Sequence, residues 1–261
     1  MHGTYIGNNK MLINLGYGGY LTISSQDLSL MPTLVSTGVF EVPLTNYYIN
    51  TVKPGYTIVD IGANVGYFTL LAAKLVGDQG KVIAYEANAE LANYVKDNLA
   101  MNWLTEKVSV INKAIYSSDQ LLEFKISSRF HGYSSIYDRP QDENLLDSPT
   151  VSKVEAVALD SELADYEGTI DLVKIDIEGG EYHAFKGMLS LIRSKKIKRI
   201  SFEWNRPMLG ADTNSLLELI NDLLNNYGAY LFYLDGYGNP IPAKLDDVAK
   251  IDFVPFVIIE F

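Results

Sequence analysis

The chain contains no cysteine, which excludes a disulfide framework, a thiolate nucleophile and any cysteine-bearing zinc site. Positive charge is scarce: 21 lysines and arginines stand against 32 aspartates and glutamates, a formal net charge of −11. A field of that sign repels phosphate backbones and disfavours nucleic acid as a substrate. The one basic run, Arg193 to Arg199, reads as cations at a helix C-terminus leading into a strand, where they complement the helix dipole. No apolar run approaches a bilayer-spanning length, and the first residues lack a basic stretch followed by an apolar one. The expectation is a soluble, cytoplasmic protein without a membrane partner. Neither an internal repeat nor a low-complexity segment is present, and no HxH or HExxH pattern points to a transition metal.

At 261 residues and 48% hydrophobic, the chain can bury one sizeable core. From Ile58 onward, short β-branched runs alternate with amphipathic segments, the pattern of βαβ units and a parallel sheet. Strands are predicted at 57–61, 81–86, 108–113, 171–177 and 199–204, with helices at 66–76, 88–102 and 213–226. Asn88 is a plausible cap for the second helix. Two further β-rich runs, 229–234 and 253–261, have no helix-length pattern between them and predict an antiparallel pair. Additional strands are expected at 121–126 and 153–157 around a polar loop, 129–150, and long loops in compact domains are usually functional. Residues 1–50 read as a small β-rich extension packed on a domain of residues 51–261.

The first chemical motif is Val59-Asp60-Ile61-Gly62-Ala63-Asn64-Val65-Gly66. A strand ending in an acid, then glycines, then an apolar helix puts a tight turn and a helix N-terminus at the carboxyl edge of the sheet, where ligands bind. The Gly-x-Asn-x-Gly spacing differs from the Gly-x-Gly-x-x-Gly that makes room for a pyrophosphate, which argues for a ligand without one. Glu86, at the end of the second strand, can accept both hydroxyls of a ribose, with Ala87 beside it, although an acid there also suits a helix N-terminus. After the third strand, Asn112 and Ala114 stand where such folds flank an adenine. The second motif, Val173-Lys174-Ile175-Asp176-Ile177-Glu178-Gly179-Gly180-Glu181, delivers three carboxylates and a lysine to the same edge. Strand alternation places Asp176 and Glu178 on one side, and Glu181 reads as part of a capping box. Three acids there need a partner: a cation, a ligand's ammonium, or Lys174. Glu203 ends the neighbouring strand and can join them as a hard-metal ligand or a general base, with metal the minor reading. Of the three histidines, His2 is terminal and His183 reads as a surface residue. His131, on the polar loop, is the better candidate for a base, and Tyr133 and Tyr137 on that loop pack on a sugar face or on the protein.

Together these residues resemble the FkbM-type methyltransferases. The resemblance runs through Gly38-Val39-Phe40-Glu41, the Lys53-Pro54-Gly55 lead-in, Val59 to Phe68, Tyr85-Glu86, Val173 to Glu181 and Phe202-Glu203. The most specific part is the Lys-x-Asp-x-Glu-Gly-x-Glu string, from which the chain departs only in having Gly180 where alanine is common. The resemblance implies a class I methyltransferase fold: a Rossmann-like doubly wound α/β sheet in the order 3-2-1-4-5-7-6, its last strand antiparallel. It implies S-adenosyl-L-methionine over Asp60, Gly62, Ala63, Asn64 and Gly66, with Glu86 on the ribose and Asp176 and Glu178 toward the methyl group. The activity implied is methylation of a hydroxyl on a sugar, glycan or secondary metabolite, with Asp176, Glu178, His131 and Glu203 as the catalytic candidates. Small-molecule N-methylation and a nicotinamide-dependent reductase on a related fold are the alternatives. No Asn/Asp-Pro-Pro-Tyr string supports a nucleic-acid amine as acceptor, and no metal is expected.

Overall fold

The structure is a computed structural model that describes residues 1–127, 129–136 and 149–261, with no side chain described for Tyr133. Tyr137 and most of the polar loop lie outside the described residues.

The N-terminal segment begins as an antiparallel meander of β1 (Gly3–Gly7), β2 (Lys10–Asn14) and β3 (Tyr20–Ser24). Two helices follow, α1 (Met31–Thr37) and α2 (Val42–Thr51), so the extension expected to be β-rich carries as much helix as strand. The missed signals are Pro32 and Pro43, each in the first turn of its helix, where the absent N–H costs nothing and the fixed φ suits the turn.

Next come β4 (Thr57–Ile61), α3 (Tyr67–Leu75), β5 (Lys81–Tyr85), α4 (Ala89–Met101) and β6 (Val108–Ile111). Asn88 caps α4 by accepting from the Glu90 N–H at 2.9 Å. A side sheet is built from β7 (Ala114–Ile115), β8 (Gln120–Ile126) and β9 (Thr150–Val157), with β9 in the middle. After α5 (Leu159–Glu162), the main sheet resumes with β10 (Leu172–Ile175), α6 (Glu181–Lys186), α7 (Leu189–Arg193) and β11 (Arg199–Asn205). The chain ends with α8 (Arg206–Leu209), α9 (Thr213–Asn226), β12 (Tyr230–Leu234), β13 (Pro240–Pro242), α10 (Leu245–Val248) and β14 (Phe253–Glu260).

The main sheet runs β13-β12-β14-β11-β10-β4-β5-β6. Its central pairs are parallel, and β14 lies antiparallel to both β11 and β12. With β13 set aside as an added edge strand, this is the 3-2-1-4-5-7-6 order expected. Two prolines in β13 are tolerated because it is an edge. All five residues of β4 and all four of β10 are buried, which is why both read as nearly unbroken apolar runs. One core packs α2, α3, α4 and the N-terminal segment on one face of the sheet. A second core packs α6, α7 and α9 on the other, and α9 contributes Leu216, Ile220 and Leu223 as its buried stripe.

The chain continues from β4 into α3 and from β10 into α6, elements of the two different cores, although β4 and β10 are adjacent. Their carboxyl ends therefore flank a topological switch point, the place where an open parallel sheet offers a crevice. Both chemical motifs of the sequence converge there.

Candidate active site

The turn after β4 is shaped by close approach to the turn after β10. Gly62 has φ +80°, and a Cβ on it would lie 2.0 Å from the Asp176 carbonyl oxygen, so only glycine fits. Asn64 adopts φ +52°, a left-handed conformation that asparagine tolerates better than most residues. Glu86 braces this turn from β5: one carboxylate oxygen accepts from the Asn64 N–H at 2.7 Å and the other from the Asn88 N–H at 2.8 Å. Burial pushes its pKa up to about 7, against the pull of those two donors.

Lys174 lies at the centre of the charge arrangement. It is 3% exposed, and its Nζ reaches Asp176 at 3.2 Å, Asp60 at 3.5 Å and the Gly62 carbonyl at 3.3 Å. Burial opposes its charge, but Asp176 and Asp60 outweigh burial and hold the ammonium above its ordinary pKa. Asp60 also accepts from Thr69 Oγ1 at 2.6 Å and is buried behind the site rather than opening onto it.

A cavity of about 350 Å³ opens above this edge. Gly62, Ala63, Asn64, Glu86, Ala87 and Ala114 line it, as do Asp176, Glu178, Glu203 and His131. Asp60 and Gly66 do not reach its wall, and Asn112 does not either. The Asn112 side-chain amide instead donates to the Glu86 and Ala87 carbonyls at 2.8 and 3.0 Å, which makes it a brace for the turn rather than a wall for an adenine.

Asp176 and Glu178 share the cavity for a different reason from the alternation expected. β10 stops at Ile175, and Glu178 (φ +54°) and Gly179 (φ +102°) form a left-handed turn that carries the second carboxylate to the wall. Glu181 is fully buried and is no capping-box member. As the first residue of α6, it accepts from the Gly179 N–H at 3.3 Å, and burial raises it to about 8. Glu203 is raised to about 9 by burial, then by Asp176 and Glu178. His183 is not a free surface histidine: it stacks on Tyr116 at 4.1 Å, and its two nitrogens meet Ser117 Oγ and Tyr116 Oη, each at 3.1 Å. Among the described residues, no three acids or histidines converge closely enough to hold a metal ion.

A family model described as the methyltransferase FkbM domain matches residues 60–231, more than half of the chain. The chain belongs to the FkbM methyltransferase family. Among curated relatives, methyltransferase sdnD of Sordaria araneosa is 28% identical over 157 residues, covering 50% of this chain and 60% of that protein. A protein-L-isoaspartate O-methyltransferase of Aeropyrum pernix is 39% identical over 59 residues, 23% of each chain. The matches thus span less than two thirds of these relatives. Among solved structures, methyltransferase FkbM from Methylobacillus flagellatus aligns with a TM-score of 0.48 at 13% identity, covering 83% of this chain and 50% of that one. An O-methyltransferase from Bacillus cereus in complex with SAH aligns at 0.46 and 14%, covering 90% and 83%.

In this FkbM family member, two polar groups of the cavity were not singled out as site residues from sequence. Glu41 precedes α2 in a left-handed conformation (φ +43°), and one of its carboxylate oxygens is buried without a partner among the described residues. Burial, then Asp176, raises it to about 8. Lys174 was visible as a partner for the acids, but its place in the wall was not. The signal for Glu41 was the acid directly before a Val-Pro helix start, which reads locally as a turn; only the fold carries it across to β10.

Proposed function

We propose that this protein is an S-adenosylmethionine-dependent O-methyltransferase acting on a hydroxyl of a sugar, glycan or other polyhydroxylated metabolite. The observation that carries the reading is one cavity at the switch point whose lining joins the glycine turn and Glu86 to the carboxyls of Asp176, Glu178, Glu203 and Glu41. The fit to the cofactor is supported by Asn64, whose side-chain oxygen is buried at the cavity without a partner among the described residues and so can take a donor. Each Glu86 oxygen accepts one backbone N–H and keeps further acceptor capacity for a vicinal diol, and Lys174 holds Asp176 in place beside the glycine turn.

S-adenosylmethionine supplies an electrophilic methyl group on a sulfonium. The protein's work is to align the acceptor oxygen in line with it and to exclude water. An acceptor hydroxyl gives its proton to a base, its oxygen bonds the methyl carbon, and the carbon–sulfur pair stays on sulfur. Glu41 and Glu203, raised to about 8 and about 9, carry protons at neutral pH. A neutral carboxyl both donates and accepts, which suits an acceptor bearing several hydroxyls.

The test has two parts. S-adenosylhomocysteine should raise the melting temperature while NADH does not, since only a ligand of the native state stabilises it. Tritiated S-adenosylmethionine should then label an acceptor from a panel of monosaccharides, glycosides and aliphatic alcohols, and Asp176→Ala should abolish labelling without unfolding the protein. Stabilisation by NADH alone, or full labelling by the variant, overturns the reading.

A further inference from the structure

We propose that Asp27, from the N-terminal segment, is the positioning residue that fixes the His131 ring and makes His131 the base for the acceptor proton. The inference rests on the methyl-transfer reading above, but on different atoms. His131 is 8% exposed and lines the cavity together with Asp176 and Glu178. Among the described residues its Nδ1 has no hydrogen-bond partner, and it faces Asp27 Oδ1 at 3.7 Å.

Asp27 is fully buried, and its orientation is fixed from several sides. Its Oδ2 accepts from the Leu30 and Met31 N–H groups at 2.8 and 2.9 Å, at the entry to α1. Its Oδ1 accepts from Ser29 Oγ at 2.7 Å and from the His131 N–H at 3.1 Å. The same carboxylate thus anchors the backbone of His131 and faces its ring. An acceptor-only group beside one imidazole nitrogen selects the tautomer with the proton on that nitrogen. Nδ1 then holds the proton, and Nε2 keeps the lone pair on a ring that lines the cavity. The 3.7 Å separation exceeds a hydrogen bond, and catalytic contacts of this type commonly tighten when substrate binds. Two of the other candidates are engaged: Asp176 holds Lys174, and Glu203 carries its own proton at neutral pH. In the reaction, the hydroxyl proton passes to Nε2 as the oxygen–carbon bond forms and the carbon–sulfur bond breaks.

The chain has three histidines, so the rings can be resolved by two-bond ¹H–¹⁵N NMR of the labelled protein, alone and with S-adenosylhomocysteine. The variant His131→Gln identifies the signal. The wild-type ring, when neutral, should carry its proton on Nδ1. In Asp27→Asn, the Leu30 and Met31 N–H groups keep the amide oxygen and turn the amide nitrogen toward the ring, so the proton should move to Nε2. With an acceptor that takes label in the panel above, both variants should lose about 10²-fold in turnover with the KM for S-adenosylmethionine unchanged. A wild-type proton on Nε2, an unmoved proton in Asp27→Asn, or undiminished turnover in His131→Gln overturns the proposal. The wild-type tautomer decides the point even if Asp27→Asn fails to fold. Loss of stabilisation by S-adenosylhomocysteine in the wild type identifies a failure of the cofactor reading instead.

Discussion

At the scale of single residues, the site depends on one buried cation. Lys174 serves Asp60 and Asp176 together, and among the described residues Asp60, 1% exposed, has only Thr69 besides it. Removing one partner of a buried pair is far more costly than never having built it, because an uncompensated charge remains. Lys174→Met should therefore destabilise the protein by about 3–5 kcal/mol. The double variant with Asp60→Asn should recover part of that loss, since the orphaned charge is gone. Urea unfolding of the set checks this, and a double variant no more stable than Lys174→Met would show that Asp60 is not the charge at issue. The sequence made this arrangement partly legible: acids at strand ends and a lysine within the same strand demand each other. It showed Glu41 only as part of a motif and gave no hint of Asp27, because both come from the N-terminal segment and no spacing rule links them to β10 or to His131.

At the scale of elements, the N-terminal meander is tied to the main sheet by Asn98 of α4. Its amide nitrogen donates to the Thr22 and Val65 carbonyls at 3.0 and 2.8 Å, and its oxygen accepts from the Thr22 N–H at 2.7 Å and the Thr22 hydroxyl at 2.8 Å. Asn98→Ala leaves these four groups without their partner in a fully buried site, at a cost of about 2–4 kcal/mol. Amide exchange should rise in β2 and β3 and hold in β4 and β5; equal rises in both would mean that the segment and the sheet open as one unit. The main sheet was legible from sequence because parallel strands buried on both faces must be apolar and must alternate with amphipathic helices. The exceptions have local causes. β13 is three residues long with two prolines, which argues against a strand anywhere but an edge. α1 and α2 are short and begin after turns, so their periodicity was too brief to separate them from the meander before them. Strand alternation predicts a shared side for Asp176 and Glu178, whereas a left-handed turn produces the shared wall.

At the scale of the whole molecule, the buried carboxyls make stability depend on pH in an unusual direction for an acidic protein. Glu86, Glu181, Glu41 and Glu203 are raised from an ordinary 4.5 to about 7, about 8, about 8 and about 9, burial being the largest cause in each. Each binds its proton more tightly in the native state than in the unfolded chain, so protonation favours the native state. That stabilisation is complete below 4.5 and is lost as pH rises through about 7 to about 9. Paired carboxylates with depressed values act in the opposite sense, but Asp78 and Asp235 sit at the surface, where salt and water screen them. The melting temperature without ligand should therefore fall between pH 6 and 9, a window taken from these shifts. Glu181 is the cleanest probe, because it is fully buried yet lies outside the cavity wall. Glu181→Gln keeps the shape and removes the titration, so the variant should lose the corresponding part of the slope, about 2–4 kcal/mol across the window. Denaturant unfolding of both proteins at pH 6 and 9 measures it, and a wild-type stability that stays level or rises over that range would show that these carboxyls are hydrated rather than sealed.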